Sequence, residues 1–265
     1  MQLFIGLLLA VCSSTIAYRI QSLNKDGAIA ATVIGTIIFG LGGWQWAALL
    51  LAFFISSSAL TRLFKNRKKD LDEKYSKGGR RDAGQVFSNG GIATLFVLMH
   101  VLLPQMTWVW IGFSAALAAA NADTWATELG VLDPNPPIMI TNFLKRVERG
   151  TSGGVSLYGT SAALMGAAFI GSLAAILTPG NPGSAFLIVT VCGLLGSLFD
   201  SLLGATVQAI YFCPTDKKET EKHPLHTCGT PTMQIRGWKW LNNDLVNVAC
   251  GAFGALAALL LINFP

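Results

Sequence analysis

Apolar runs long enough to cross roughly 30 Å of hydrocarbon recur near residues 2 to 18, 28 to 43, 44 to 62, 84 to 103, 107 to 130, 155 to 177, 184 to 210 and 241 to 263. No soluble core absorbs that much apolar surface. A bilayer does, and it admits only structures that satisfy their backbone polar groups internally. The expected fold is therefore all-α, a polytopic transmembrane helix bundle of about eight spans, with residues 1–265 forming one domain. The second and third runs are divided only by Gly42 and Gly43, so that pair reads as a tight hairpin or one broken span. Composition agrees: 52% of the 265 residues are hydrophobic and 12% charged, outside ordinary soluble usage.

Basic residues collect in cytoplasmic loops, and all 19 lysines and arginines fall in alternate connections. Arg19 and Lys25 follow the first run, nine lie between Arg62 and Arg81, Lys145, Arg146 and Arg149 follow the fifth, and five run from Lys217 to Lys239. This pattern predicts cytoplasmic loops near 63–83, 131–154 and 211–240, with both termini on the non-cytoplasmic side. The first run lacks a basic n-region and reads as a retained helix, although Ser14, Thr15 and Ala17 would permit cleavage. The net charge of +5 is spread over membrane loops, so a nucleic-acid partner is not expected. Cys12, Cys192 and Cys250 lie in apolar runs and Cys213 and Cys228 in a loop on the reducing side, which is not a disulfide framework.

Ionisable groups within membrane spans are costly and usually functional. The stretch Asn121-Ala122-Asp123-Thr124-Trp125-Ala126-Thr127-Glu128 carries two carboxylates into the last turns of the fifth run. With the predicted topology, Asp200 of the seventh run, Gln85, Ser88 and Asn89 of the fourth, Ser156 and Thr160 of the sixth, and Asn243, Asp244 and Asn247 of the eighth share that depth. Positions four apart share a helix face, which pairs Asp123 with Thr127, Thr124 with Glu128, Gln85 with Asn89, and Asn243 with Asn247. Asp123 and Glu128 stand about 140° apart around their helix, so Asp123 is favoured as the direct ligand.

Arg80 and Arg81 precede the fourth run, and Lys145, Arg146 and Arg149 precede the sixth. Acids beside arginines point to metal and phosphate: carboxylate oxygens suit Mg²⁺ and guanidinium forks bind phosphate. Positive-inside charge alone accounts for most lysines of the 62–81 loop. The segment Arg149-Gly150-Thr151-Ser152-Gly153-Gly154-Val155-Ser156 reads either as a flexible connector or as a phosphate-cradling turn opening a helix.

At these residues the chain resembles a family of multi-span membrane proteins, long without known function, that includes the plant phytyl-phosphate kinase of tocopherol synthesis. The likeness covers nearly the whole chain and rests on Asn121–Glu128, Gln85–Gly91, Gly153–Leu157, Asp200–Ala205 and Asn242–Asn247. It implies a kinase moving the terminal phosphoryl group of a nucleoside triphosphate, with CTP the expected donor, onto a phytyl or polyprenyl monophosphate. The setting implied is a bacterial cytoplasmic or plastid membrane. A more distant likeness joins it to polyprenol kinases and CTP-dependent lipid cytidylyltransferases.

In such an enzyme Asp123, with Glu128 or Asp200, would hold Mg²⁺. Asn89, Asn121, Thr127, Ser156, Asn243 and Asn247 would orient ligands or phosphates, and Arg80, Arg81 and Arg149 would neutralise phosphate charge. Relatives often resemble a Cys-x-x-Cys followed by His-x-Cys where this chain has Cys213-Pro214-Thr215-Asp216, then His223, His226 and Cys228. A structural zinc on Cys213, His226 and Cys228, with Asp216 or His223 as fourth ligand, competes with an ordinary reduced loop. The rival functions are an ion-coupled transporter and nucleotidyl transfer from CTP to a phospholipid.

Overall fold

The computed structural model describes residues 1–65, 74–75, 77–178 and 181–262. Residues 66–73 and 76, in the expected loop 63–83, and residue 263, at the end of the eighth expected span, lie outside the described residues.

Eight helices follow the apolar runs: α1 Gln2–Arg19, α2 Lys25–Ile37 continued by a π turn at Ile38–Gly42, α3 Trp44–Leu63, α4 Ala83–Leu102, α5 Thr107–Gly130, α6 Leu157–Leu177, α7 Pro182–Thr206 and α8 Asn243–Ile262. The fold is thus a helical membrane bundle, and among the described residues seven helices are long and apolar enough to cross a membrane. The second and third runs are two separate helices. Gly43 joins them with φ +88°, a left-handed conformation open to glycine.

The helix outside those seven is α5, whose Asn121, Asp123 and Glu128 dilute its hydropathy. It is also the most enclosed: every residue from Val109 to Ala122 is buried. Helices α6, α7, α8, α4 and α3 surround it, so protein rather than lipid solvates its polar end. Alanines and glycines permit this close packing; a Cβ on Gly193 or Gly196 would meet the Cβ of Ala118 or Ala119 at 2.7 or 2.6 Å. Towards the far end of α4, His100 stacks on Trp46 at 4.8 Å, and Trp46 meets Trp110 and Phe113.

The loops carry structure that hydropathy does not announce. Strands β1 Ile138–Met139, β2 Asn142–Arg146 and β3 Gly154–Val155 form one small antiparallel sheet, and β4 Ile210–Cys213, β5 Lys218–Thr220 and β6 Met233–Arg236 another, with β1 and β4 central. The expected seventh span is therefore too long at its end: α7 stops at Thr206, and the apolar Ile210-Tyr211-Phe212 is a sheet strand.

These loops meet one another. The Leu23 and Arg81 backbones pair, Lys74 binds Glu148 at 2.7 Å and the Arg149 carbonyl at 2.9 Å, the Glu221 amide donates to the Lys74 carbonyl at 2.8 Å, and Ser152 donates to Glu221 at 2.9 Å. Together they roof one end of the bundle.

Candidate active site

Under that roof lies a cavity of about 320 Å³, within the range of small-molecule sites. Its walls are helix ends: Thr61 of α3, Gln85 and Asn89 at the start of α4, Asp123, Thr127 and Glu128 at the end of α5, Asp200 and Gly204 at the end of α7, and Asn243 and Asn247 at the start of α8. The loop Arg149–Gly153, Ser156 and Glu221 complete it.

The carboxylates divide into two groups. Asp200 lies close enough to Asp123 and Glu221 for mutual repulsion, and its Oδ2 is buried without a hydrogen-bond partner among the described residues. Glu221 accepts from Ser152 Oγ and Gln208 Nε2, both at 2.9 Å. Glu128, 5% exposed, instead accepts from Thr61 Oγ1 at 2.9 Å and faces Arg81. The offset around α5 thus sends Asp123 and Glu128 to different company.

Like charges gathered beside an unsatisfied oxygen fit a cation. Asp123, Asp200 and Glu221 are the residues that could hold Mg²⁺, which takes one or two carboxylates and fills its remaining positions with water and substrate phosphate.

Arg81 donates to Ser58 Oγ at 2.9 Å and lies over Phe53 and Phe54, 5.7 and 5.5 Å from the ring centres. Burial pushes its guanidinium down to about 10, opposed by Glu128, and it stays charged at neutral pH. Arg149 reaches the cavity with Nη2 donating to the carbonyls of Asp133 and Pro134. Lys77 bridges Asp82 and Asp244, joining the starts of α4 and α8.

The glycine-rich segment is seated rather than loose. Gly153 has φ +85°, and a Cβ there would come within 2.4–2.5 Å of Ala205, so glycine alone lets the loop close on α7. The amino end of α6 is capped from within: Ser156 Oγ accepts from Gly159 N at 3.1 Å and Asp133 Oδ2 from Tyr158 N at 3.3 Å. The phosphate-cradling potential lies in the loop, not in that helix terminus.

Of the sequence-predicted residues, Asn89, Arg81, Asp123, Thr127, Glu128, Arg149, Ser156, Asp200, Asn243 and Asn247 line the cavity. Asn121 and Arg80 stand apart. Asn121 is fully buried, accepting from Ser56 Oγ at 3.1 Å and donating to the Gly166 carbonyl at 2.8 Å, so it ties α5 to α3 and α6. Arg80 reaches the Leu23 carbonyl at 3.4 Å. Sequence reasoning missed Glu221, Lys77 and Thr61, all in the lining. Glu221 and Lys77 sit in polar loops among other charges, and Thr61 resembles any helix threonine; only their convergence marks them.

With this geometry in hand, comparison places the chain. Residues 8–255 match the family described as integral membrane protein DUF92. The chain belongs to that family. It is 35% identical over 263 residues to Protein PGR of Arabidopsis thaliana, covering 89% of each chain. It is 32% identical over 206 residues to an uncharacterized membrane protein of Methanocaldococcus jannaschii, covering 77% of this chain and 82% of that one. To Protein VTE6, chloroplastic, of Arabidopsis thaliana it is 27% identical over 249 residues, or 92% of this chain and 67% of that protein. No solved structure matches.

Proposed function

We propose that this protein is a membrane-embedded kinase that transfers the terminal phosphoryl group of a nucleoside triphosphate, CTP, to an isoprenoid monophosphate such as phytyl or polyprenyl phosphate. The products are the isoprenoid diphosphate and the nucleoside diphosphate. One observation carries the reading: the polar cavity shares Arg81, Gln85 and Asn89 with a second, apolar pocket of about 80 Å³ lined by Ala10, Ala17, Leu23, Ile34, Phe39, Phe53 and Phe54. A charged chamber beside an apolar slot suits an amphiphile with an anionic head and a hydrocarbon tail. Membership of a family that includes the plant phytyl-phosphate kinase supports the same reading.

In the reaction an oxygen of the acceptor phosphate attacks the terminal phosphorus, and the bond from that phosphorus to the β–γ bridging oxygen breaks, leaving with the nucleoside diphosphate. Positioning and charge neutralisation supply most of such catalysis. Arg81, at the junction of the pockets, holds the acceptor phosphate. Arg149 and the Gly150–Gly153 backbone receive the donor phosphates, and Asn89, Asn243 and Asn247 orient them by hydrogen bonds. Asp123 and Asp200, with Glu221 beside them, would hold Mg²⁺, which when bound offsets charge on the triphosphate oxygens. The acceptor is already an anion, so no strong general base is required.

Every basic connection carries positive-inside charge, which orients the cavity to the cytoplasm, or to the stroma in a plastid. A transporter would place its acids near midplane at broken helices, whereas these acids lie at one end of the bundle.

The test uses purified protein in lipid nanodiscs with Mg²⁺, γ-labelled CTP and a panel of phytyl, geranylgeranyl and longer isoprenyl monophosphates, beside Asp123→Asn. Labelled isoprenoid diphosphate that requires Asp123 is expected. Lipid-linked CMP with release of diphosphate would establish nucleotidyl transfer instead. No transfer from folded protein would overturn the enzyme reading and direct attention to ion flux in vesicles.

A further inference from the structure

Outside the cavity, β4 and the loop after β5 bring four chemically matched groups together: Cys213, Asp216, His226 and Cys228, one ligand atom from each, all within 4.8 Å of one another. Cys213 is fully buried and His226 is 3% exposed. The two Sγ atoms stand 3.5 Å apart, close to the about 3.8 Å edge of a tetrahedron with metal–sulfur bonds near 2.3 Å. Cys213 Sγ and Asp216 Oδ2 are 3.8 Å apart. His226 Nδ1 and Asp216 Oδ2, at 2.7 Å, need only part by several tenths of an ångström to reach the about 3.3 Å edge set by bonds near 2.0 Å.

We propose that this protein carries a structural zinc ion bound by Cys213, Asp216, His226 and Cys228. The set supplies four ligands, two of them thiolates, which is the number of a closed tetrahedral structural site. The other candidate, His223, is committed elsewhere: its ring stacks on Tyr211 at 4.4 Å, nearly parallel.

The surroundings are arranged for thiolate and imidazole. The Asp216 amide donates to Cys213 Sγ at 3.5 Å, closing the turn Cys213–Asp216 around the sulfur. Cys228 Sγ is hydrogen-bonded to Thr230 Oγ1 at 3.3 Å, and Thr230 Oγ1 bonds Thr215 Oγ1 at 2.9 Å, so the two ligand-bearing turns are also tied directly. His226 and Thr230 close the second turn, with His226 N donating to the Thr230 carbonyl and Gly229 N to the His226 carbonyl, both at 2.9 Å. Such outer contacts orient ligands.

The zinc would act as a clamp. Cys213 ends β4 and Asp216 lies in the turn into β5, whose last residue, Thr220, precedes Glu221 of the cavity wall. Ligation of Cys213 and Asp216 would pin the turn end of this hairpin to the His226–Cys228 loop and so help to position the carboxylate at its other end.

The experiment measures metal content by inductively coupled plasma mass spectrometry on the full chain, purified in detergent through a tag without histidines. One zinc per chain is expected, falling below about a tenth in Cys213→Ser and Cys228→Ser, while Cys12→Ser keeps it. Asp216→Cys should retain zinc more strongly against a chelator than the parent. A second measurement, independent of the folding of the thiol variants, uses the unaltered chain: exchange of its metal for Co²⁺ should give a thiolate-to-cobalt charge-transfer band. Folded parent protein with neither zinc nor a cobalt–thiolate band overturns the proposal. So does an intact mass lowered by two hydrogens, which would reveal a Cys213–Cys228 disulfide instead.

Discussion

Glu128 and Asp200 both line the same cavity, yet their partners give them different work. Asp200 faces Asp123 and Glu221; Glu128 is bonded by Thr61 and faces Arg81. Asp200→Asn should leave folding intact and raise the Mg²⁺ concentration for half-maximal phosphoryl transfer by roughly 10–100-fold, read from a titration of rate against Mg²⁺. Glu128→Gln removes the charge opposite Arg81 and should destabilise the fold by about 1–3 kcal/mol, read from a thermal melt, with a smaller effect on the Mg²⁺ requirement. The sequence left these two acids as equal candidates for second ligand. Helical spacing put Glu128 on another face of α5, but which face meets Asp200 depends on how α7 is rotated, and nothing in a single sequence specifies that.

At the scale of elements, the segment between α5 and α6 is held by a carboxylate outside the membrane spans. Asp133 accepts from the Asn135 amide, which chiefly holds it below the usual carboxylate range, with further help from the Tyr158 amide and the Ser156 hydroxyl. A carboxyl whose folded pKa is depressed contributes stability that is present above its unfolded pKa and lost as pH falls through the folded one. Hydrogen-exchange protection factors across residues 133–158, corrected for the intrinsic rate at each pH, should therefore be high at neutral pH and fall as the medium is acidified below the ordinary aspartate range. Asp133→Asn should flatten that pH dependence. The helices were legible because apolar runs and Lys/Arg placement are strong, independent signals. The strands were not: Ile138–Met139 and Gly154–Val155 are too short to show alternation, and Ile210–Cys213 follows α7 so closely that its first residue reads as the end of the helix and the rest as loop.

Across the whole molecule, the sequence brought the polar residues of five helices to one depth, and most of them do share a cavity. Asn121 lies in the same motif as Asp123, but its place two residues earlier, about 200° around the helix, turns it from the chamber into the α3–α6 packing. Glu221 required the second sheet, which no periodicity reports. The enclosure of α5 extends beyond the finished fold, because a chain enters its membrane in order of synthesis. This helix emerges before α6, α7 and α8 exist to surround it, carrying acids that lipid alone solvates poorly. In a glycosylation-mapping insertion assay, α5 alone should enter the bilayer inefficiently and an α5–α6 pair should enter well. The helix that carries the proposed Mg²⁺ ligand is then the one whose arrival in the membrane must wait for its successors, which couples assembly of the candidate site to the synthesis of the later helices.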